Sequence, residues 1–223
     1  MKGVERIFLD LDGPLLDGKE RHYRCYQSIL ESFGLKPVGF DDYWESKRAL
    51  VSRKELLLAS GAQSIYEEYL VAWLNLIETP AMLALDKVQD GAIECLRAWK
   101  SQGAELLLVT MRKDKVALER QLESTGLRQF LDAVLVCDHE EGGEGKAHAV
   151  CNYFETEFIT DKSLWIGDTE ADWVAAKTLG CPVVLLSNGL RNDTYLRSLE
   201  SAIVMPSIAS LRNTFLKEAN AHR

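Results

Sequence analysis

The sequence predicts an α/β protein with a Rossmann-like parallel sheet as its core and an inserted α-helical cap domain. Three observations favour this fold class. Near-continuous apolar runs recur along the chain, which is typical of parallel strands covered on both faces. From about residue 88 onward these runs alternate with helical patterns, which indicates βαβ units. The stretch between the first run and that point contains helical patterns alone, so we expect it to be an insertion.

The predicted strands and helices follow from apolar runs and from the residues that end them. The first strand covers residues 4–9 and ends before Gly13 and Pro14 interrupt the run. The later strands are predicted at residues 104–109, 131–136, 164–166, 182–186 and, more weakly, 202–205. Between them we expect one helix capped by Asp90 and ended by Gly103, and two more at 113–125 and 171–179 that also end at glycines.

The insertion shows helical spacing from Tyr23 to Phe33 and then two sequences of the capping-box type. These are Ser52-x-x-Glu55 and Ser64-x-x-Glu67, and the second is predicted to open a helix that ends before Pro80. No strand is predicted in this stretch. We therefore expect a core domain formed by residues 1–14 and 86–223, and a helical cap domain formed by residues 15–85.

Composition excludes several classes of protein. The chain has 223 residues, 47% of them hydrophobic, so it is able to bury a core. Its formal charge of −8 disfavours nucleic-acid binding, and no apolar run reaches the roughly 18–20 residues of a membrane span. Five dispersed cysteines without a C-x-x-C pair favour a reducing, cytoplasmic setting over disulfides or structural zinc. A monomer or a homodimer is expected.

Polar side chains follow four of the predicted strands at the point where each strand ends. Asp10 and Asp12 follow the first strand, and their two-residue spacing projects both carboxylates to one face. In open α/β sheets, ligands bind outside the carboxyl ends of the strands. The residues that we expect at this edge of the sheet are Asp10, Asp12, Thr110, Lys146, Asp168 and Asp172.

Each of these residues also has a simpler interpretation. Asp10 and Asp12 are compatible with a turn after a strand, and Asp168 with the cap of the following helix. Thr110 is compatible with a capping or strand-end role, and Lys146 with exposure to solvent. The order and spacing of the whole set favour a catalytic site over these separate roles.

The set resembles the four-motif signature of the haloacid dehalogenase superfamily of phosphohydrolases. The first motif appears as Asp10-Leu11-Asp12-Gly13, and the fourth as Gly167-Asp168-Thr169-Glu170-Ala171-Asp172. Thr110 takes the place of the second motif and Lys146 that of the third. The helical insertion lies where this superfamily places its C1 cap, between the first and second motifs.

The resemblance implies a Mg²⁺-dependent reaction through a phosphorylated aspartate. Asp10 would be the nucleophile and Asp12 the general acid and base. The side chains of Asp10 and Asp168 and the backbone carbonyl of Asp12 would bind Mg²⁺, and Asp172 would bind it through water or orient Lys146. Thr110, Lys146 and the main-chain N–H groups of residues 11–13, which include Gly13, would bind the phosphate oxygens.

Two features bear on the substrate. Arg112 follows Thr110 by two residues, and we expect it to be solvated at the start of a helix; contact with a substrate anion is the alternative. From Lys19 to Lys54 there are eight basic and five acidic residues, a net charge of +3. This excess suits a small anionic phosphate ester, or equally a set of solvated helix faces.

The sequence thus predicts a phosphatase that acts on a small phosphorylated metabolite. A phosphomutase would use the same nucleophile and return the phosphate to the substrate. A phosphonatase would need a cap lysine that forms a Schiff base, for which Lys19, Lys36, Lys47 and Lys54 are the candidates. A non-catalytic module that binds a phosphorylated ligand is the alternative from another class, and the intact set of acidic residues argues against it.

Overall fold

The structure is a computed structural model that describes residues 3–138, 140–154 and 162–212. Within these residues it contains a six-stranded, all-parallel sheet of order β5-β4-β1-β6-β7-β8 and a separate antiparallel pair, β2 and β3. The strands are β1 (Arg6–Leu9), β2 (Leu16–Asp17), β3 (Lys87–Val88), β4 (Glu105–Thr110), β5 (Ala133–Val136), β6 (Ser163–Gly167), β7 (Val183–Leu186) and β8 (Ile203–Met205).

Helices cover both faces of the large sheet and fill the insertion. The α-helices are α1 (Lys19–Ser32), α2 (Phe40–Arg48), α3 (Arg53–Ala59), α4 (Tyr66–Leu76), α5 (Pro80–Leu83), α6 (Ala92–Ser101), α7 (Lys115–Ser124), α8 (Gly142–Phe154), α9 (Glu170–Leu179) and α10 (Asp193–Arg197). Each helix in the described part of the chain is too short or too polar to cross a bilayer.

The central strand shows why the sheet is buried on both faces. Successive side chains of a strand point to opposite faces, so Ile7 and Leu9 pack in one apolar cluster and Phe8 packs in the other. The first cluster includes Leu96 and Leu122 from the helices on that side. Helices α8, α9 and α10 cover the second cluster. This two-sided burial confirms the predicted α/β fold with a Rossmann-like parallel sheet.

The insert, which we define as residues 19–83, has an apolar cluster of its own. Its centre is aromatic: the rings of Tyr26 and Tyr43 stack with centroids 4.7 Å apart, and Tyr69 and Trp73 pack beside them. Because this cluster is separate from the two that flank the sheet, it is consistent with a distinct cap. The predicted domain boundaries stay a prediction.

Most predicted elements are present, and three local predictions are wrong. Ser52 and Glu55 form the predicted capping box, but Ser64 lies in a 3₁₀ turn and α4 begins without a side-chain cap. The helix after β3 is capped by Gly91 in a left-handed conformation, and not by Asp90. The antiparallel pair β2–β3 was missed, because two-residue strands carry no detectable periodicity.

Removing a core side chain from β4 tests the two-sided packing. Leu108 is fully buried, so Leu108→Ala should lower the free energy of unfolding by about 3 kcal/mol, through lost burial and an unfilled cavity. The matched control is Leu58→Ala on α3, where the side chain is 59% exposed and the expected change is under about 0.5 kcal/mol. Chemical denaturation measures both, and equal effects would contradict the assigned packing.

Candidate active site

The carboxyl ends of β1 and β6 bring the first and fourth acidic loops together. The Asp10 N–H donates to the Ile166 carbonyl at 3.0 Å, which extends the β1–β6 pairing by one residue and sets Asp10 beside Asp168. Asp10 Oδ1 accepts the Leu11 N–H at 2.8 Å. Strand register therefore places the loop of Asp10 next to the loop of Asp168.

Lys146 lies on α8 and is fully buried between two carboxylates. Its Nζ is 3.0 Å from Asp10 Oδ1 and 2.7 Å from Asp172 Oδ1. Burial alone would lower the pKa of this ammonium group, but the two carboxylates outweigh that effect and raise the pKa above its ordinary value. Lys146 is consequently a fixed positive charge at the site, and not a solvated surface lysine.

Asp172 is held by more donors than any other carboxylate at this edge. Besides the Lys146 ammonium, its oxygens accept from the Trp165 Nε1–H, from the backbone N–H groups of Asp168 and Thr169, and from the Thr169 hydroxyl. Burial would raise its pKa, yet these partners keep the pKa below the ordinary value. The geometry suits the predicted orienting role, because Asp172 fixes both Lys146 and the start of α9.

Three glycines leave the space that the acidic side chains occupy. A Cβ at Gly13 or at Gly189 would lie 2.1 Å from Asp168 Oδ2, and a Cβ at Gly167 would lie 2.0 Å from the Asp172 carboxyl carbon. Gly13 also has a φ of 101°, which disfavours any other residue. Its N–H donates to the Leu16 carbonyl at 2.8 Å, which argues against the predicted contact of that group with phosphate.

The buried carboxylates fit a divalent cation. Among the described residues, Asp10, Asp168 and Asp172 each offer an oxygen within 4.8 Å of the others. Asp168 Oδ1 is buried with no hydrogen-bond partner in the described part of the chain. Lys146 pairs with two of these three carboxylates, so two negative charges remain unbalanced when all three are ionised. Oxygen ligands of this kind are those that Mg²⁺ prefers.

Burial and the mutual repulsion of these carboxylates also raise the pKa values of Asp10 and Asp168. Burial, aided by the carboxylates of Asp172 and Asp12, raises the pKa of Asp10 to about 7 even though Lys146 opposes the shift. Burial and the neighbouring carboxylates of Asp10 and Asp172 raise the pKa of Asp168 well above its ordinary value. A bound cation would favour the ionised form of both residues.

The Asp12 carboxylate is bound by two arginines. Arg112 donates to both of its carboxylate oxygens at 2.7 Å, and Arg21 Nη2 donates to Oδ1. Burial would raise the pKa of Asp12, but the two guanidinium groups hold it well below the usual range. Our preferred interpretation of Arg112 as a solvated residue is wrong, because it is only 5% exposed and is committed to Asp12.

Asp86 completes what we call the arginine–carboxylate cluster: Arg21, Arg112, Asp12 and Asp86. The Asp86 carboxylate accepts from Arg21 Nε at 2.7 Å, from Arg112 Nη2 at 3.2 Å and from Gln121 Nε2 at 2.8 Å. Two guanidinium groups and two carboxylates make this cluster neutral, in contrast to the acidic one beside it.

A cavity of about 590 Å³ opens between the sheet edge and the insert. Thr110, which ends β4 and is 1% exposed, lines it together with Asp10 and Asp12. The insert contributes Arg53 and Trp73 to its wall. The site thus combines an acidic floor with basic and aromatic groups above it.

Sequence reasoning missed Arg21 and Asp86 as residues of the site. Arg21 does carry a signal, because it lies four residues before Cys25 and eight before Ile29 on the buried face of α1. A charged residue on an apolar stripe indicates a buried ion pair. Asp86 precedes a two-residue strand and carries no comparable pattern.

Fold and site define a hydrolase of the haloacid dehalogenase type. The family model for haloacid dehalogenase-like hydrolases matches residues 7–186, and the chain belongs to that family. Phosphoglycolate phosphatase of Pseudomonas fluorescens is 24% identical over 217 residues, which cover 92% of this chain and 77% of the relative. The phosphorylated carbohydrates phosphatase of Thermotoga maritima is 24% identical and covers 79% of this chain and 82% of its own.

Solved structures show the same fold. A chain described as a predicted phosphatase from Clostridium acetobutylicum superposes with a TM-score of 0.75 at 18% identity, covering 95% of this chain and 97% of its own. A haloacid dehalogenase-superfamily hydrolase of subfamily IA from Geobacter sulfurreducens gives a TM-score of 0.67 at 18% identity, with coverage of 96% and 97%. At these identities the likeness concerns the fold.

Substitution of Gly189 tests whether the glycines shape a metal site. Gly189→Ala places a methyl group against Asp168 and should weaken Mg²⁺ binding at least about tenfold, as displaced supporting contacts commonly do. Isothermal titration calorimetry measures the affinity. Gly39→Ala is the control, because its Cβ would lie at an ordinary 3.4 Å from Asp42. Equal Mg²⁺ affinity in both variants would contradict the assigned site.

Proposed function

We propose that the protein is a Mg²⁺-dependent phosphatase that hydrolyses a small phosphorylated metabolite through an aspartyl-phosphate intermediate. The observation that carries the proposal is the buried cluster of three carboxylates and one ammonium group, Asp10, Asp168, Asp172 and Lys146, whose member Asp10 lines the cavity. Membership of the hydrolase family and the activities named for its relatives support it.

Asp10 is the nucleophile in this proposal. An anionic carboxylate and a phosphate group repel each other by about 4 kcal/mol at 4 Å and an effective dielectric constant near 20. Mg²⁺, held by the side chains of Asp10 and Asp168 and the backbone carbonyl of Asp12, would supply the positive charge that offsets this repulsion. Lys146 adds a second fixed positive charge beside the Asp10 oxygen.

The two half-reactions then use Asp10 and Asp12 in turn. Asp10 attacks phosphorus while the Asp12 carboxyl protonates the departing oxygen, which requires that Asp12 first leaves the two arginines that lower its pKa and takes up a proton. Asp12 next takes a proton from the water that hydrolyses the aspartyl phosphate and restores Asp10. Lys146 and the Thr110 hydroxyl hold the phosphate oxygens, where negative charge accumulates in the transition state.

The substrate in this proposal is a free small molecule, and neither a nucleic acid nor a membrane is a partner. The formal charge of −8 and the cavity of about 590 Å³ support this choice. All five cysteines are free thiols, which supports the proposed cytoplasmic setting. A monomer or a homodimer remains the proposed state.

The activity is tested by a screen of phosphorylated metabolites, with and without Mg²⁺, that follows inorganic phosphate. Asp10→Asn should lower turnover of the best substrate at least about 1000-fold, because the amide is no nucleophile. Circular dichroism should show an intact fold. Asp193→Asn is the matched control, because Asp193 pairs with Arg197 on the surface.

The outcomes of the screen separate the candidate functions. Phosphate release that needs Mg²⁺ and Asp10 supports the phosphatase. Transfer of phosphate between positions of a sugar phosphate, without net release, would replace it by a phosphomutase. Retained turnover in Asp10→Asn would remove Asp10 as the nucleophile, and ligand binding without turnover would favour a non-catalytic module.

One observation keeps a phosphonatase as the second candidate. Of the four lysines considered for a Schiff base, Lys47 has a perturbed amine: burial, with Arg53, Arg191 and Arg21 nearby, lowers its pKa to about 7. An unprotonated amine is able to attack an aldehyde. Borohydride reduction with phosphonoacetaldehyde should label Lys47 if this function holds, and an unlabelled Lys47 peptide in the mass spectrum would exclude it.

A further inference from the structure

Two buried guanidinium groups meet on one carboxylate at the wall of the cavity. Arg21 comes from α1 of the insert and Arg112 from the loop after β4, and they are 2% and 5% exposed. Between them they make three hydrogen bonds to Asp12. All three residues line the same cavity as Asp10. The arginines therefore lie beside the position where a reacting group would bind.

Asp86 holds this pair of arginines independently of Asp12. Its side chain is fully buried and contacts both guanidinium groups, and Gln121 anchors it from α7. The Arg21 guanidinium also donates to the Ile77 carbonyl at 3.4 Å. Because these contacts do not involve Asp12, both arginines stay in place when the Asp12 carboxylate moves.

The acid and base role proposed for Asp12 requires that movement. In the structure both Asp12 oxygens accept hydrogen bonds from the arginines, and a carboxylate bound in this way carries no proton, so the carboxyl must turn from them before it acts as an acid. Once the Asp12 carboxyl has rotated away, Asp86 is the one carboxylate of the cluster that still pairs with the two buried guanidinium groups. A buried positive charge without a partner is strongly unfavourable, so a second anion is needed in the vacated position.

We propose that Arg21 and Arg112 determine specificity by binding a second anionic group of the substrate, in the place that the Asp12 carboxylate occupies in the free protein. The proposal rests on the proposed phosphatase function and deepens it. The substrate class is a short phosphate monoester whose alcohol portion carries a carboxylate or a second phosphate. The planar fork of arginine binds either group through two parallel hydrogen bonds.

The charges around the cavity favour this class of substrate. Within the described part of the chain, neither Arg53 nor Lys47 forms an ion pair, and both lie within 5.5 Å of the Trp73 ring. The Arg53 guanidinium lines the cavity and adds to the positive potential on its insert side, and Lys47 adds to that potential when it is protonated. A substrate with two anionic groups thus meets a cation site at the floor and basic residues at the wall.

The test compares substrates that differ in the second charge alone. Phosphoglycolate carries a carboxylate where 2-hydroxyethyl phosphate carries a hydroxyl, and ethylene glycol bisphosphate carries a second phosphate. For each substrate, kcat and KM are measured with Mg²⁺ by following inorganic phosphate. We expect the wild type to prefer at least one charged substrate about 30-fold or more in kcat/KM, which is the scale of one charge-assisted pair. The charged substrate that is preferred identifies the second group as carboxylate or phosphate.

The arginine variants show whether this pair produces the preference. Arg21→Gln and Arg112→Gln should reduce the preference to within about threefold, mainly through a higher KM for the charged substrate. Arg112→Lys should retain an intermediate preference, because lysine keeps the charge but loses the fork. The preference is the ratio of two kcat/KM values measured on one preparation, so a partial loss of folded protein affects both values equally and cancels. Arg197→Gln, an exposed residue paired with Asp193, should keep the wild-type ratio.

The results that would contradict the role of the two arginines differ from those that would contradict the phosphatase function. A wild type that releases phosphate without any preference for the charged substrates overturns the inference and leaves the proposed function standing. The same holds for a preference that is unchanged in both glutamine variants. If the wild type releases no phosphate from any phosphorylated compound in the presence of Mg²⁺, the proposed function itself is wrong.

Discussion

A buried ammonium group fixes the relation between the acidic loops of this site. Lys146 reaches from α8 to Asp10 on one side and Asp172 on the other, and all three side chains are at least nine-tenths removed from solvent. Such an arrangement is stable only with close pairing, since each buried charge pays a large desolvation cost. Strand register sets β1 beside β6, and Lys146 then determines where the carboxylates at their ends come to lie. The rest of the site is built around this contact.

The charged residues at the edge of the sheet form two clusters that differ in net charge and therefore in the ions that they can bind. With all its acids ionised, the cluster of Asp10, Asp168, Asp172 and Lys146 has two negative charges in excess. Asp168 Oδ1, which has no hydrogen-bond partner in the described part of the chain, is available as a ligand for a cation. The arginine–carboxylate cluster is neutral as it stands. The first cluster is therefore suited to bind a cation. The second gains a net positive charge only when one of its carboxylates moves away. Two residues of one loop, Asp10 and Asp12, thus belong to opposite electrostatic environments.

The sequence was sufficient where the physical signal is repetitive and insufficient where it depends on a single contact. Apolar runs predicted all six strands of the large sheet, because a strand buried on both faces must be apolar along its whole length. Lys146 and Asp172 could be placed by their position in the motifs. Arg112 could not, because no local pattern reveals that a carboxylate one hundred residues away points toward it. Asp86 was missed for the same reason.

Arg21 connects these electrostatic arguments to the insert. It belongs to α1, whereas its partners Asp12 and Asp86 lie on the segments that leave and re-enter the sheet domain. Arg48 makes a second link, because its guanidinium donates to the Ser187 carbonyl and its own carbonyl accepts the Asn192 N–H. The position of the insert and the conformation of Asp12 are consequently coupled, since α1 cannot shift without changing what Asp12 contacts. The same arginine that links the insert to the sheet domain thus binds the proposed acid directly.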